Sequence, residues 1–362
     1  MLQQKVNGSD AEDDSDASAA GAGAEAMDNL KRFSEWYADF HGYISLIVCI
    51  IGVLCNLFNI AVLTRKELIN TTSYLLTALA VADLLTMLSY IPYALHFHVL
   101  YGTPSSPDRN CYPWIVFLWF HVNFSLTTHT ASIWFGVLIS AFRYSYIRTT
   151  TDTASVAMVR LQMRRVSWAL AIVCTLTVVV LLPNYVSLRI VEELHPDDNR
   201  TMYEVTSVNS SEWILDEVMT QLNFWTHALV IKIIPCGLMS IFGFLLIQTM
   251  TVSHRRGKEL KGASAGQKSR RAKRHQRTTA MLVTIILLFL ATELPQGVLA
   301  LLSGLDSEFF ERYYVPLGDI MDIVALVNNG INFALYCSMS KRFRLTFLAL
   351  FCPCFCKKLP NP

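Results

Sequence analysis

Asp83, His129, Glu293, Asp319 and Asp322 are ionisable side chains that stand inside long apolar runs. A charge at the centre of a bilayer costs about 2.5–3.5 kcal/mol on insertion scales, so each is expected to be paired, hydrated or used. Such groups suit the relay of a proton or ion, the ligation of a hard cation by oxygen, or the recognition of a cationic group. Asp319 and Asp322 fall one turn apart on one helical face. Ser125 and His129 share the face of Arg143, further along the same run, which turns both toward an interior. Glu293 is the evident counterpart of His129 if their two segments face one another. No nucleophile, base and metal constellation accompanies these residues, so the pattern argues against an enzyme.

The elements that must position them are membrane helices. Of 362 residues, 53% are hydrophobic and 16% charged, with a mean hydropathy of +0.38. That is too apolar for a soluble protein of this length. A bilayer core takes roughly 20 residues of helix, and seven segments qualify: Tyr43–Leu63, Tyr74–Leu95, Trp114–Phe142, Val166–Leu188, Leu222–Met250, Thr279–Leu302 and Tyr313–Met339. The fold class expected is an all-α membrane protein, a seven-transmembrane-helix bundle over 43–339. A short cytoplasmic amphipathic helix over 340–351 and a tail over 352–362 follow. Residues 1–42 carry Asp10, Glu12, Asp13, Asp14 and Asp16 among Ala, Gly and Ser. This composition reads as a disordered acidic extracellular tail without a cleavable signal peptide.

Most of the 30 Lys and Arg fall in the first, third and fifth connections and the C-terminal tail, and most of the 28 acids on the other side. The positive-inside rule then places a plasma-membrane protein with its N-terminus outside and its C-terminus in the cytoplasm. Sequons at Asn7, Asn199 and Asn209 lie on the outer side as glycosylation candidates, while those at Asn70 and Asn123 read as chance. A net charge of +2 gives no sign of a nucleic-acid partner. The basic fifth connection suits a topology signal facing membrane lipid. Its stretch Lys268–Arg277, with Arg274 and Arg277, is the better candidate for a signalling partner. Phe343, Phe347 and Phe351 recur at i, i+4 and i+8, as in a helix lying on the membrane. Cys352, Cys354 and Cys356 follow as palmitoylation candidates; as a metal cluster they lack a fourth ligand. Cys111, outside, reads as an unpaired thiol, and no disulfide is expected. No internal repeat is visible, which weighs against a paired-bundle ion or proton transporter.

In order, the landmarks are Gly52 to Asn56, Leu79 to Asp83, Phe142-Arg143-Tyr144, Trp168, Pro235, Phe289 to Pro295, Asn332 to Tyr336 and Phe343-Arg344. The set resembles the rhodopsin-family G-protein-coupled receptors over about residues 43 to 352. The stretches Thr292 to Gly297, Gly318 to Asp322, Ile331 to Ser340 and Cys111 to His121 resemble the myosuppressin receptors and their nematode relatives. The resemblance implies a receptor for FMRFamide-like neuropeptides ending in an amidated Arg-Phe, coupled to a heterotrimeric, inhibitory-class G protein. Such a ligand needs a desolvated carboxylate, an apolar slot and hydrogen-bond partners. Asp322, Asp319 and then Glu293 are the candidate carboxylates, Gln296, His129 and Ser125 the polar partners, and Phe224 and Trp225 the slot.

By the same resemblance Asp83, Ser132, Asn328 and Asn332 sit at a central sodium site, with a water-filled polar cluster as the alternative and no other cofactor expected. Arg143, Tyr144, Tyr336 and Pro295 fall at positions of the coupling machinery. The departures are Phe142 and His275 where acids of an ionic latch would stand, which predicts basal signalling. Glu293 also replaces a tryptophan, Phe333 a proline and Leu118 a bridging cysteine. Ser125 and Leu326 disfavour a small amine and a chromophore as the ligand of this fold.

Overall fold

A computed structural model describes residues 9–102, 106–149, 156–195, 200–207, 214–259 and 265–352. Asn7, Asn199, Asn209, Cys354 and Cys356 lie outside them, as do the side chains of Arg274 and Arg277 on their helical backbone. The helices Ser9–Leu63, Thr71–Ala94, Tyr112–Thr149, Val156–Val180, Ala265–Leu305 and Val315–Met339, with the helical stretch 214–259, carry most of the seven expected spans, and Lys341–Phe351 follows them. Spans one and seven meet closely, a Cβ on Gly330 standing 3.4 Å from the Gly52 Cα. Beside that contact the Asn56 amide donates to Asn329 O at 3.0 Å.

Among the described residues six helices are long and apolar enough to cross a membrane. The third span falls short because it carries His121, Asn123, Thr127, Thr128, His129, Thr130 and Ser132. It touches spans two, four, five and six, so its polar side chains meet protein rather than lipid. Apolar groups face both ways: Ile133, Met239, Ile285 and Phe289 fill the interior, while Ile51, Trp168, Ile172, Phe244 and Leu287 are exposed on the flanks. A belt of that kind is stable against hydrocarbon.

Three features depart from the sequence reading. Residues expected as a disordered tail are helical from Ser9 and continuous with span one; Ala, abundant there, is the strongest helix former. Leu188–Leu194 and Thr201–Ser207 pair as an antiparallel hairpin, an addition to the all-α plan. Span five contains a π-helical stretch, Thr226–Ile233, across which the Ile234 N–H reaches Leu229 O. Pro235, next in line, has no N–H to donate, so the ladder widens there.

The two sequons read as chance are structural. Asn70 caps span two by accepting from Ser73 N at 3.0 Å. Buried Asn123 accepts from Asn184 Nδ2 at 2.9 Å and ties span three to the end of span four.

Candidate functional site

The bundle has a hairpin end and a tail end, and its polar groups lie in layers between them. Nearest the tail, Asp83 is fully buried and accepts from Ser132 Oγ at 2.6 Å and Asn332 Nδ2 at 3.2 Å. Asn328, buried one turn before Asn332, keeps its Nδ2 without a protein partner among the described residues. Spans two, three and seven thus converge on one carboxylate, the grouping that the family resemblance implies.

One layer up, Glu293 is fully buried, and its partner is a residue that sequence reasoning missed. Lys232 Nζ donates to Glu293 Oε2 at 2.5 Å and to Gln296 Oε1 at 2.6 Å, and lies 3.4 Å from His129 Nε2. His129 Nε2 also stands 3.4 Å from Glu293 Oε1, so the expected His129–Glu293 pairing is present but secondary. A lysine buried in a membrane span costs as much as an acid, and that signal was legible in the run around Pro235. The π-helical stretch that places Lys232 was not.

Asp319 and Asp322 differ from Glu293 in every respect. Neither has a hydrogen-bond or ion-pair partner among the described residues. Asp322 is exposed, yet it lies within electrostatic range of His41 on span one, His129 on span three and Lys232 on span five. Its exposure is therefore to the inside of the bundle. Asp319, half-buried, lies within range of Tyr37 and Tyr93. Around them, Tyr93 stacks on His121 at 4.4 Å between ring centroids, and His41 Nε2 and the Tyr90 hydroxyl are 3.2 Å apart.

Ser125 is half-buried one turn from His129 on the hairpin side. The expected slot lies elsewhere. Phe224 packs so tightly on span six that a Cβ at Gly304 would overlap its ring, and Trp225 meets it edge-on at 6.0 Å. With Ser303, Phe310 and Glu311, Phe224 lines an open groove of about 560 Å³ outside the acid layer.

The hairpin roofs this end without a covalent tie. Trp119 Nε1 donates to Leu188 O at 3.1 Å, Tyr203 N donates to Asn110 O at 2.9 Å, and Arg200 pairs with Asp108 at 3.1 Å. Cys111, half-buried next to Asn110, is a free thiol.

At the tail end, buried Arg143 donates from Nη2 to Thr279 Oγ1 of span six at 3.0 Å. Tyr144 packs on Phe242 of span five, with ring centroids 6.3 Å apart. Tyr336 is buried and packs on Phe343 at 5.4 Å. Pro295 lies within span six, between Glu293 and Gln296. Phe333, standing where a proline was expected, joins Phe58, Phe343 and Phe347 in a ring cluster that seats the closing helix on span one. Ser340 caps that helix and Arg344 donates to Cys337 O and Ser338 O at the end of span seven. Cys352 follows as a free thiol.

Residues 43–354 match the family described as serpentine type 7TM GPCR chemoreceptor Srw. The chain belongs to the seven-transmembrane G-protein-coupled receptors. It is 30% identical to the G-protein coupled receptor dmsr-1 of Caenorhabditis elegans over 90% of its own length and 71% of the relative's. Likeness to the sex peptide receptor of Drosophila melanogaster is 25% over 88% of this chain and 73% of that one. Likeness to the FMRFamide receptor of the same fly is 21% over 86% of this chain and 53% of the other. The receptor is a multi-pass membrane protein and not an enzyme.

Proposed function

We propose that this receptor stands in the plasma membrane with its hairpin end outside and binds a neuropeptide ending in an amidated Arg-Phe, which activates an inhibitory-class G protein. The observation that carries the reading is the unpartnered pair Asp319 and Asp322, open to the interior at the hairpin end. A guanidinium presents a planar fork that carboxylates accept bidentately, and a carboxylate with no protein partner is free to take it. Relatives named for the FMRFamide and the sex peptide support a peptide ligand. Tyr90 and Tyr93, close to both acids, supply an aromatic wall for the phenylalanine in place of Phe224 and Trp225.

Activation is a population shift, so the peptide must bind the signalling arrangement better than the resting one. Arg143, Tyr144, Tyr336 and the hinge at Pro295 are the residues through which that shift reaches the tail end, where Lys268–Arg277 meets the G protein. The oxygens of Asp83 and Ser132, with the side-chain carbonyls of Asn328 and Asn332, fit a hard monovalent cation such as sodium. The cation would lower the cost of a lone buried carboxylate.

The test is G-protein activation in cells that display the receptor, challenged with amidated Arg-Phe peptides and their free acids. A response that needs the amide is expected. Silence across the panel, with surface display verified, overturns the peptide reading and leaves the family standing.

A further inference from the structure

Lys232 does more than neutralise Glu293. An ammonium has three donors, and two of them hold Glu293 Oε2 and Gln296 Oε1. The opposite atoms of the two side chains are held less tightly, Glu293 Oε1 only by His129 Nε2 at 3.4 Å. Glu293 Oε1 is buried without a hydrogen-bond partner among the described residues. Glu293 has no exposure, so a ligand's donor reaches Oε1 by displacing the His129 ring, whose Nε2 at 3.4 Å is at long range for a hydrogen bond and is therefore weakly held. The Gln296 amide, its oxygen held by Lys232, turns its Nε2 away from the lysine, where it has no partner among the described residues. Glu293 and Gln296 are one turn apart on one face of span six. The cavity floor therefore offers one acceptor beside one donor.

That pair is the complement of a primary carboxamide, which donates from its NH2 and accepts at its carbonyl. We propose that Lys232 is a specificity-determining positioning residue, which by holding Glu293 and Gln296 makes the floor read a carboxamide terminus and reject a free carboxylate. The inference rests on the peptide reading above. A carboxylate has no proton to give Glu293 Oε1 and meets a like charge there. The Lys232 cation is already spent on Glu293, so the floor carries no net positive charge to hold an anion. Asp322 lies within electrostatic range of Lys232, so a terminal Arg-Phe-amide spans from the acid pair to the floor in two residues, roughly 7 Å of extended chain.

The experiment compares Phe-Met-Arg-Phe-amide with its free acid on surface-displayed receptor. The Glu293→Gln variant removes the like charge, and the amide-to-acid potency ratio is expected to shrink about tenfold, equivalent to about 1.4 kcal/mol. Because that variant leaves Lys232 buried and unpaired, the double variant Lys232→Gln with Glu293→Gln is run beside it. It buries no lone charge and is expected to lose the same preference. Gln296→Leu removes the donor common to both ligands, so both potencies fall and the ratio stays. A wild-type amide preference that survives both Glu293 variants overturns this inference alone. A wild type that answers no amidated peptide overturns the peptide reading and this inference with it.

Discussion

Glu293 and the Asp319–Asp322 pair are acids in one bundle under opposite conditions. Glu293 has no exposure and a lysine on one oxygen, whereas Asp319 and Asp322 have no partner among the described residues and are at least partly exposed. A dry charge must be neutralised to be tolerated, and once neutralised it binds its own helices together. A wet, unpaired charge contributes nothing to folding and is available to a ligand. Span six is thus joined to span five through its acid, while span seven keeps its acids for something that arrives.

The largest effect should come from breaking the dry pair. Lys232→Ala strands Glu293 without its cation, and a loss of about 3–5 kcal/mol is expected, read as a lower melting temperature of the detergent-solubilised receptor and poor surface display. Unchanged stability would mean that the pair is not dry. Asp319→Asn with Asp322→Asn should do the reverse, leaving the melting temperature within about 1 °C while peptide potency falls on the order of 30-fold, as for a desolvated charge pair worth about 2 kcal/mol. A matching drop in stability would assign these acids to the scaffold. The smallest effect is expected at the tail end, where Thr279→Val removes one acceptor of Arg143. A hydrogen bond to a charged group contributes about 1.5 kcal/mol, so ligand-free signalling should rise several-fold. No rise would deny that this contact restrains the resting state.

Long runs of mostly apolar residues marked the seven spans, because span length is written locally in the sequence. The meeting of Asp83 with Ser132 and Asn332 followed instead from the family resemblance, since a helical period relates residues of one helix only. The approach of His129 to Glu293 could be read only conditionally, because it depends on which two helices face each other. Lys232 was hidden by bookkeeping of another kind: basic residues were weighed as loop markers, and one in a span escaped the question asked of every acid. Its aim depends on the π-helical stretch Thr226–Ile233, a change of phase that a fixed helical period cannot express. The hairpin was missed although Leu188-Arg189-Ile190 and Tyr203-Glu204-Val205 alternate in strand fashion. Phe224 and Trp225 were placed by type, whereas Gly304 decides where Phe224 packs.

The central claim is that the acids of span seven receive the ligand's guanidinium. A double-mutant cycle tests it directly, pairing wild-type receptor and the Asp319→Asn, Asp322→Asn variant with an amidated Arg-Phe peptide and its citrulline analogue, which keeps the arginine shape without the charge. The account predicts strong non-additivity, with the citrulline peptide as weak on wild type as on the variant. Losses that simply add would contradict it and place the arginine elsewhere in the receptor.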